Sequence, residues 1–143
     1  MSGRLADLSG PEVTDLLTSD SVVVLPVGAI EQHGPHLPMS VDAVIAEEVA
    51  SALLNAVGDD IDLWLLPTLA VSKSNEHAWS PGTLWLSAET LMRVLDDLAA
   101  CVAATPARRL VLLNGHGGNS SLLVTACRDL RVAHGLLTFL VHP

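Results

Sequence analysis

Val22-Val23-Val24-Leu25-Pro26-Val27 is apolar without a break. A strand with one wet face alternates apolar and polar side chains. An unbroken apolar run instead predicts a strand buried on both faces, as in a parallel sheet lying between helices. Outward from this run the chain alternates helix and strand. Upstream, a short capped helix is expected near residues 11–17. Downstream, Ser40 stands at the N-cap of a helix whose Ile45, Val49, Leu53 and Val57 fall on one face, and Gly58 reads as its left-handed stop. Residues 63–71 predict a second strand. A polar loop over 72–87 follows, then a helix carrying Leu91, Val94, Leu95, Leu98 and Val102 that ends before Thr105-Pro106. Residues 109–113 repeat the strand pattern. Asn119 then caps a helix with Leu122, Leu123, Ala126, Leu130 and Ala133 turned inward, Gly135 stops it, and residues 136–141 form a last strand. The expected fold class is α/β, a mostly parallel sheet with helices on both faces, in a single domain over residues 1–143.

Composition narrows the partners. Seven Lys and Arg against sixteen Asp and Glu give a formal charge of -9, a field that repels nucleic acid and anionic lipid and tolerates cations and neutral or cationic small molecules. Neither DNA, RNA nor a membrane surface is therefore expected. The longest apolar stretches, residues 22–30 and 63–71, are each broken by a proline and are shorter than the roughly 20 residues of a membrane span. The first ten residues lack the basic-then-apolar build of a secretory leader. Cys101 and Cys127 both fall at apolar positions of helical patterns, so no disulfide framework is expected and a cytoplasmic setting is the default. A hydrophobic fraction of 50% and a mean hydropathy of +0.46 exceed what a small monomer needs, which suggests doubly buried strands or a surface meant for a partner.

In parallel α/β sheets ligands bind beyond the carboxyl ends of the strands. Residues 28–39, 72–87 and 114–119 are the loops expected there. The first reads Glu31-Gln32-His33-Gly34-Pro35-His36-Leu37-Pro38, with Asp42 in the opening turn of the next helix. Carboxylates and imidazoles are ligands for zinc, manganese or iron, and residues two apart in an extended segment share a side, so Glu31 and His33 can face one point. Asp42 can return to that point from the helix start. Taken singly, Glu31 also suits a solvated carboxylate and Asp42 a first-turn helix charge. His36 suits support of the ligands from behind or simple packing. The third loop, Asn114-Gly115-His116-Gly117-Gly118-Asn119, lets the backbone approach a ligand and carries an imidazole beyond the sheet. A phosphate nest there is disfavoured, since no Lys or Arg lies in the loop. The middle loop, with Ser72, Lys73, Ser74, Asn75, Glu76, His77 and Trp79, suits either a substrate pocket or an exposed connection turning at Pro81-Gly82. His134 and His142 read as surface histidines, and Trp64 and Trp85 as core or interface residues.

Together, Glu31-Gln32-His33-Gly34, His36-Leu37-Pro38, Asp42, Pro81-Gly82-Thr83 and Asn114-Gly115-His116-Gly117-Gly118-Asn119 resemble the creatininase family of amidohydrolases. The resemblance implies a three-layer α/β/α sandwich, two divalent metals, usually zinc with manganese or iron, and homo-oligomers that are often hexamers. It implies Glu31, His33, Asp42 and His116 as metal ligands, with Asp42 bridging. Ser74 matches a substrate-contacting serine; His77 and Gly117 are expected beside it at the substrate, with His36 and Asn119 supporting the ligands. Creatininase proper has a tyrosine and a metal-binding glutamate where this chain has Gly117 and Gly118. Glycine members of the family take that ligand from a later Glu-Thr-Ser motif, so residues 1–143 are expected to be the N-terminal portion of the family domain, with little activity alone. The activity implied is hydrolysis, by a metal-activated water, of a carbon–nitrogen bond other than an ordinary peptide bond: in a cyclic amide, a formamide or a short peptide. The alternative is a non-catalytic metal-binding fragment or a subunit of a split assembly.

Overall fold

The computed structural model describes residues 1–143, except for the side chain of Asp59. In chain order the elements are β1 (Gly3–Arg4), α1 (Gly10–Leu16), β2 (Val22–Val27), α2 (Val41–Ile61), β3 (Leu63–Leu65), α3 (Ala88–Ala103), β4 (Arg109–Asn114), α4 (Ser120–His134) and β5 (Leu137–Val141). The strands form one five-stranded sheet in the order β1-β3-β2-β4-β5, and every pairing is parallel. The apolar run that opened the sequence is its centre.

β2 shows why that run has no polar alternation. Val23, Leu25 and Val27 pack with Leu91, Leu95, Ala99 and Val102 of α3 and Leu123, Ala126, Cys127 and Leu130 of α4. Val24 points the other way, into a second cluster with Ala50 of α2, Leu63, Leu65 and Leu113. Burying each such side chain stabilises the fold by about 1.5–3 kcal/mol. Leu17, Val13 and Leu16 at α1 join the first cluster, so α1, α3 and α4 cover one face and α2 the other. Pro26 sits in a central strand without breaking it. Leu66 donates to the Val24 carbonyl and Leu69 to that of Pro26, so residue 26 turns its backbone toward the flank where β3 has already ended at Leu65. The N–H that proline lacks has no ladder partner there.

Four local expectations are corrected. The second strand is only Leu63–Leu65; beyond Pro67 a single bridge, Val27 to Leu69, continues the pairing. α2 runs through Gly58 to Ile61, and its left-handed stop is Asp62 at φ 49°, whose N–H returns to the Gly58 carbonyl. Gly58 is instead a contact point: a Cβ there would come within 2.8 Å of Ser2 Oγ and 2.9 Å of a Leu54 methyl. Ser40 and Asn119 hold the N-cap positions of α2 and α4, but neither side chain makes a capping bond. The two-residue β1, which carries no periodicity of its own, adds an edge through Gly3–Trp64 and Arg4–Leu65 pairing. Gly135 stops α4 as expected, at φ 66°.

β5 closes the other edge. Thr138 is buried, while Leu137, Phe139 and Val141 leave about half of their surface open. Cys101 and Cys127 are both free thiols. Among the described residues no helix is long and apolar enough to cross a membrane.

Candidate metal centre

Parallel pairing brings the loops after β2, β3 and β4 to one edge of the sheet. Each is pinned by backbone. Glu31 donates to the Met39 carbonyl at 2.9 Å, closing the first loop onto the start of α2, and Leu84 donates to the Ile30 carbonyl at 3.0 Å, tying the first loop to the middle one. Two glycines let α2 come close enough to deliver Asp42. A Cβ on Gly28 would lie 2.3 Å from the Ala43 Cα, and one on Gly115 would lie 2.8 Å from the Asp42 carbonyl oxygen. Any side chain at either position would push the helix start away from the strand ends.

Buried amides hold the loops together. Asn114 Nδ2 donates to the His116 carbonyl at 2.8 Å and its Oδ1 accepts from the His116 N–H at 3.3 Å, so the strand end brackets its own histidine. Asn119 Nδ2 donates to Ser72 Oγ at 3.0 Å and to Asn114 Oδ1 at 3.2 Å, while its Oδ1 accepts from the Lys73 N–H at 3.2 Å. Ser72 Oγ in turn donates to the Gly28 carbonyl. A fully bonded polar network of this kind rigidifies what it supports. His142 joins it at the edge, its Nδ1 3.2 Å from Asn114 Nδ2.

Within this frame Glu31, Asp42 and His116 are all buried, and one ligand-type atom from each lies within 4.8 Å of the others. His116 Nδ1 is 2.8 Å from Asp42 Oδ2 and 3.4 Å from Glu31 Oε1. His33 Nε2 is 2.9 Å from Asp42 Oδ1, so His33 reaches the group through Asp42 and the aspartate stands between two imidazoles. The opposite ring nitrogens face backbone carbonyls, His33 Nδ1 that of Glu31 at 3.1 Å and His116 Nε2 that of Lys73 at 3.0 Å. A carbonyl only accepts, so those nitrogens carry the hydrogens. In the neutral tautomer this leaves each remaining lone pair facing a carboxylate oxygen, an arrangement that calls for a positive charge between them. Glu31 Oε2 is buried with no hydrogen-bond partner, a second deficit of positive charge. Burial works against protonation of His116, but the Asp42 hydrogen bond and the charges of Glu31 and Asp42 outweigh it and hold its pKa above the usual histidine range. A proton can fill this demand, and so can a cation.

The other expected residues divide. His77 stands at the rim, its Nε2 3.7 Å from Glu31 Oε1 and its Nδ1 3.2 Å from Gln32 Nε2. Ser74 is fully buried and its Oγ has no partner. Gly117 is exposed, and its missing Cβ would meet open space. Asn119 lies behind the centre, bonded to Ser72, Asn114 and the Lys73 N–H. His36 does not: residues 34–38 are all exposed, carried outward past the positive φ of Gly34, and no hydrogen bond joins His36 to the cluster among the described residues. Reading the sequence placed Glu76 only in the middle loop and did not join it to His116. Its Oε1 is 3.5 Å from His116 Nε2, and its Oε2 accepts from Lys73 Nζ at 2.9 Å. Only the i, i+3 spacing of Lys73 and Glu76 hinted at that pair, and nothing in sequence ties either one to His116.

A parallel α/β/α sandwich with two buried carboxylates and two imidazoles converging at the carboxyl edge of its strands defines an α/β protein with a candidate divalent-cation centre. Comparison with known proteins makes the class specific. The chain belongs to the creatininase family: the family model described as creatinine amidohydrolase matches residues 6–142. It is 38% identical over 135 residues to a mycofactocin precursor peptide peptidase of Mycobacterium tuberculosis, covering 89% of this chain and 53% of that protein. It is 38% identical over 123 residues to a creatinine amidohydrolase of Pseudomonas putida, covering 80% and 46%. A solved manganese form of creatininase superposes with a TM-score of 0.78 at 33% identity, over 99% of this chain and 58% of that one. The chain thus spans about half the length of the curated relatives it matches.

Proposed function

We propose that this chain carries the divalent-cation centre of an amidohydrolase that cleaves a carbon–nitrogen bond in a cyclic amide, a formamide or a short peptide. One observation carries the proposal: the Asp42 carboxylate lies between two imidazoles whose hydrogens are committed to backbone carbonyls, beside a buried Glu31 oxygen that has no donor. The oxygen and nitrogen donors suit zinc, manganese or iron. Glu31, His33, Asp42 and His116 would hold the divalent cations.

A bound divalent cation supplies Lewis acidity that polarises a carbonyl and makes water nucleophilic at neutral pH. The chain's own residues do the rest. Glu31 and Asp42 set the negative charge of the centre, and the Glu31 and Lys73 carbonyls fix the tautomers of His33 and His116, so neither ring has to reorganise. Ser74, His77 and the open backbone at Gly117 are the groups assigned to substrate, Ser74 because its buried hydroxyl is unpartnered and His77 because it stands over Glu31. In the net reaction water adds its hydroxyl to the carbonyl carbon, the carbon–nitrogen bond breaks, and the remaining proton passes to the departing nitrogen. The relatives' amide and peptide substrates support this class of reaction. A homo-oligomer in the cytoplasm is the setting proposed for it.

The test is to strip the protein of metal, reload it with zinc or manganese, and measure metal content and hydrolysis of a panel of cyclic amides, formamides and short peptides. Wild type should take up metal and His33→Ala should lose most of it. Negligible uptake by both overturns the proposal. Uptake without turnover of any amide would favour a metal-binding module instead.

A further inference from the structure

Gly118 lies beside His116, and a side chain there would displace its neighbours. A Cβ would lie 1.9 Å from Glu76 Oε1, 2.4 Å from His116 Nε2 and 3.0 Å from His116 Cε1. The volume that any other residue at position 118 would fill is occupied by a carboxylate delivered from the middle loop. Glu76 is held there. The short helical turn Asn75–His77 presents it, and Lys73 Nζ binds its other oxygen at 2.9 Å. Its near oxygen is 3.5 Å from the ring nitrogen of His116 that also donates to the Lys73 carbonyl at 3.0 Å.

We propose that Glu76 is a positioning residue for the cation centre: its carboxylate takes the space left by the absent side chain of Gly118 and holds the His116 ring with Nδ1 turned to Glu31 and Asp42. This rests on the cation-centre reading above and adds a residue to it. A histidine that gives one nitrogen to a metal commonly gives the hydrogen of the other to a carboxylate or a carbonyl, which fixes the ring and strengthens its lone pair as a donor. Here the Lys73 carbonyl and the Glu76 carboxylate flank the same nitrogen. Because the ring is already buried among Glu31, Asp42 and the Asn114 bracket, the partner behind it decides how firmly Nδ1 is aimed.

Zinc affinity of the metal-free protein, measured by competition with a chromophoric chelator, tests this without relying on activity. Glu76→Gln keeps the shape of the side chain and removes its charge, at a position open enough to solvent to leave folding intact. It should weaken zinc binding roughly 10- to 100-fold with an unchanged circular dichroism spectrum. Gly118→Ala should weaken it too, because its methyl group evicts the carboxylate and presses on the His116 ring. The decisive comparison is Glu76→Gln in the Gly118→Ala background, where it should have almost no further effect, since the carboxylate has already been displaced. A Glu76→Gln protein that binds zinc within about threefold of wild type overturns the proposal, as does a full second loss in the double variant. If wild type itself takes up no zinc, the cation centre fails and this role falls with it. Tight wild-type binding with an indifferent Glu76→Gln instead sinks only the role of Glu76.

Discussion

Each end of this sheet carries a carboxylate at an end of α2, half-buried Asp62 at one and buried Asp42 at the other, and the two are partnered in opposite ways. At the amino end, Asp62 caps α2 and has a donor for each oxygen: Ser21 Oγ for Oδ2, and Trp64 Nε1 at 3.0 Å for Oδ1. Nearby, Arg109 pairs with Asp20 at 2.8 Å on the surface. At the carboxyl end, among the described residues, Asp42 is paired with two imidazoles and Glu31 has one oxygen with no donor. A carboxylate that has a hydrogen-bond donor for each oxygen, with the Met1 ammonium 3.9 Å from Oδ1 as well, is a structural fixture. One buried without such donors stores a demand for positive charge. The difference separates a turn that holds the fold from a site that can take up an ion.

The largest effect should follow from breaking the carboxyl end. Asp42→Ala removes the group that both histidines face, so zinc affinity should fall by more than the roughly 10- to 100-fold typical of outer partners. Melting temperature in the presence of a chelator should drop little by comparison. A variant that still shows a full zinc-dependent rise in melting temperature would remove Asp42 from the centre.

Changing pH sharpens the contrast next. His116 holds a proton more firmly than an ordinary histidine because Asp42 and Glu31 face it, so an incoming cation must displace that proton. Zinc affinity should therefore rise with pH, and calorimetry in buffers of different ionisation enthalpy should show proton release on binding. Affinity that stays flat from pH 5.5 to 8 on the order of a few tens of per cent would mean that the imidazoles do not ligate.

The smallest effect belongs to the amino end. Asp62→Asn keeps a residue that tolerates the left-handed conformation but removes its charge and makes the Ser21 hydroxyl reverse from donor to acceptor. It should cost about 1–3 kcal/mol of stability in denaturant melts and leave zinc affinity unchanged. A parallel loss of zinc binding would show that the two ends are coupled through α2, whose ends they share.

The glycines show how far local pattern carries. Gly135 stops α4 where the periodic pattern ends, because the stop needs only its own backbone. Gly58 looks the same in sequence but lies inside a helix, where a Cβ would meet Ser2, which is distant in sequence, and Leu54 of the same helix. His33 and His36 make the same point at the site. They are three residues apart in one polar loop, yet His33 meets Asp42 and His36 points to solvent, because the turn at Gly34 separates them.

By itself the sequence determined the central strand, the alternation of helix and strand, and that Glu31 and His116 lie on loops and Asp42 at a helix start on the same side of the sheet. Those features follow from periodicity and turn chemistry within a few neighbouring residues, and so they are written locally. Tertiary structure alone decided that Asp62 ends α2, that β1 pairs at the edge, that Gly28 and Gly115 open the clearance for Asp42, and that Glu76 stands where a side chain of residue 118 would be. Each of these depends on the distance between segments far apart in the chain. That distance is set when the layers pack and the glycines let backbones touch, and no local pattern records it.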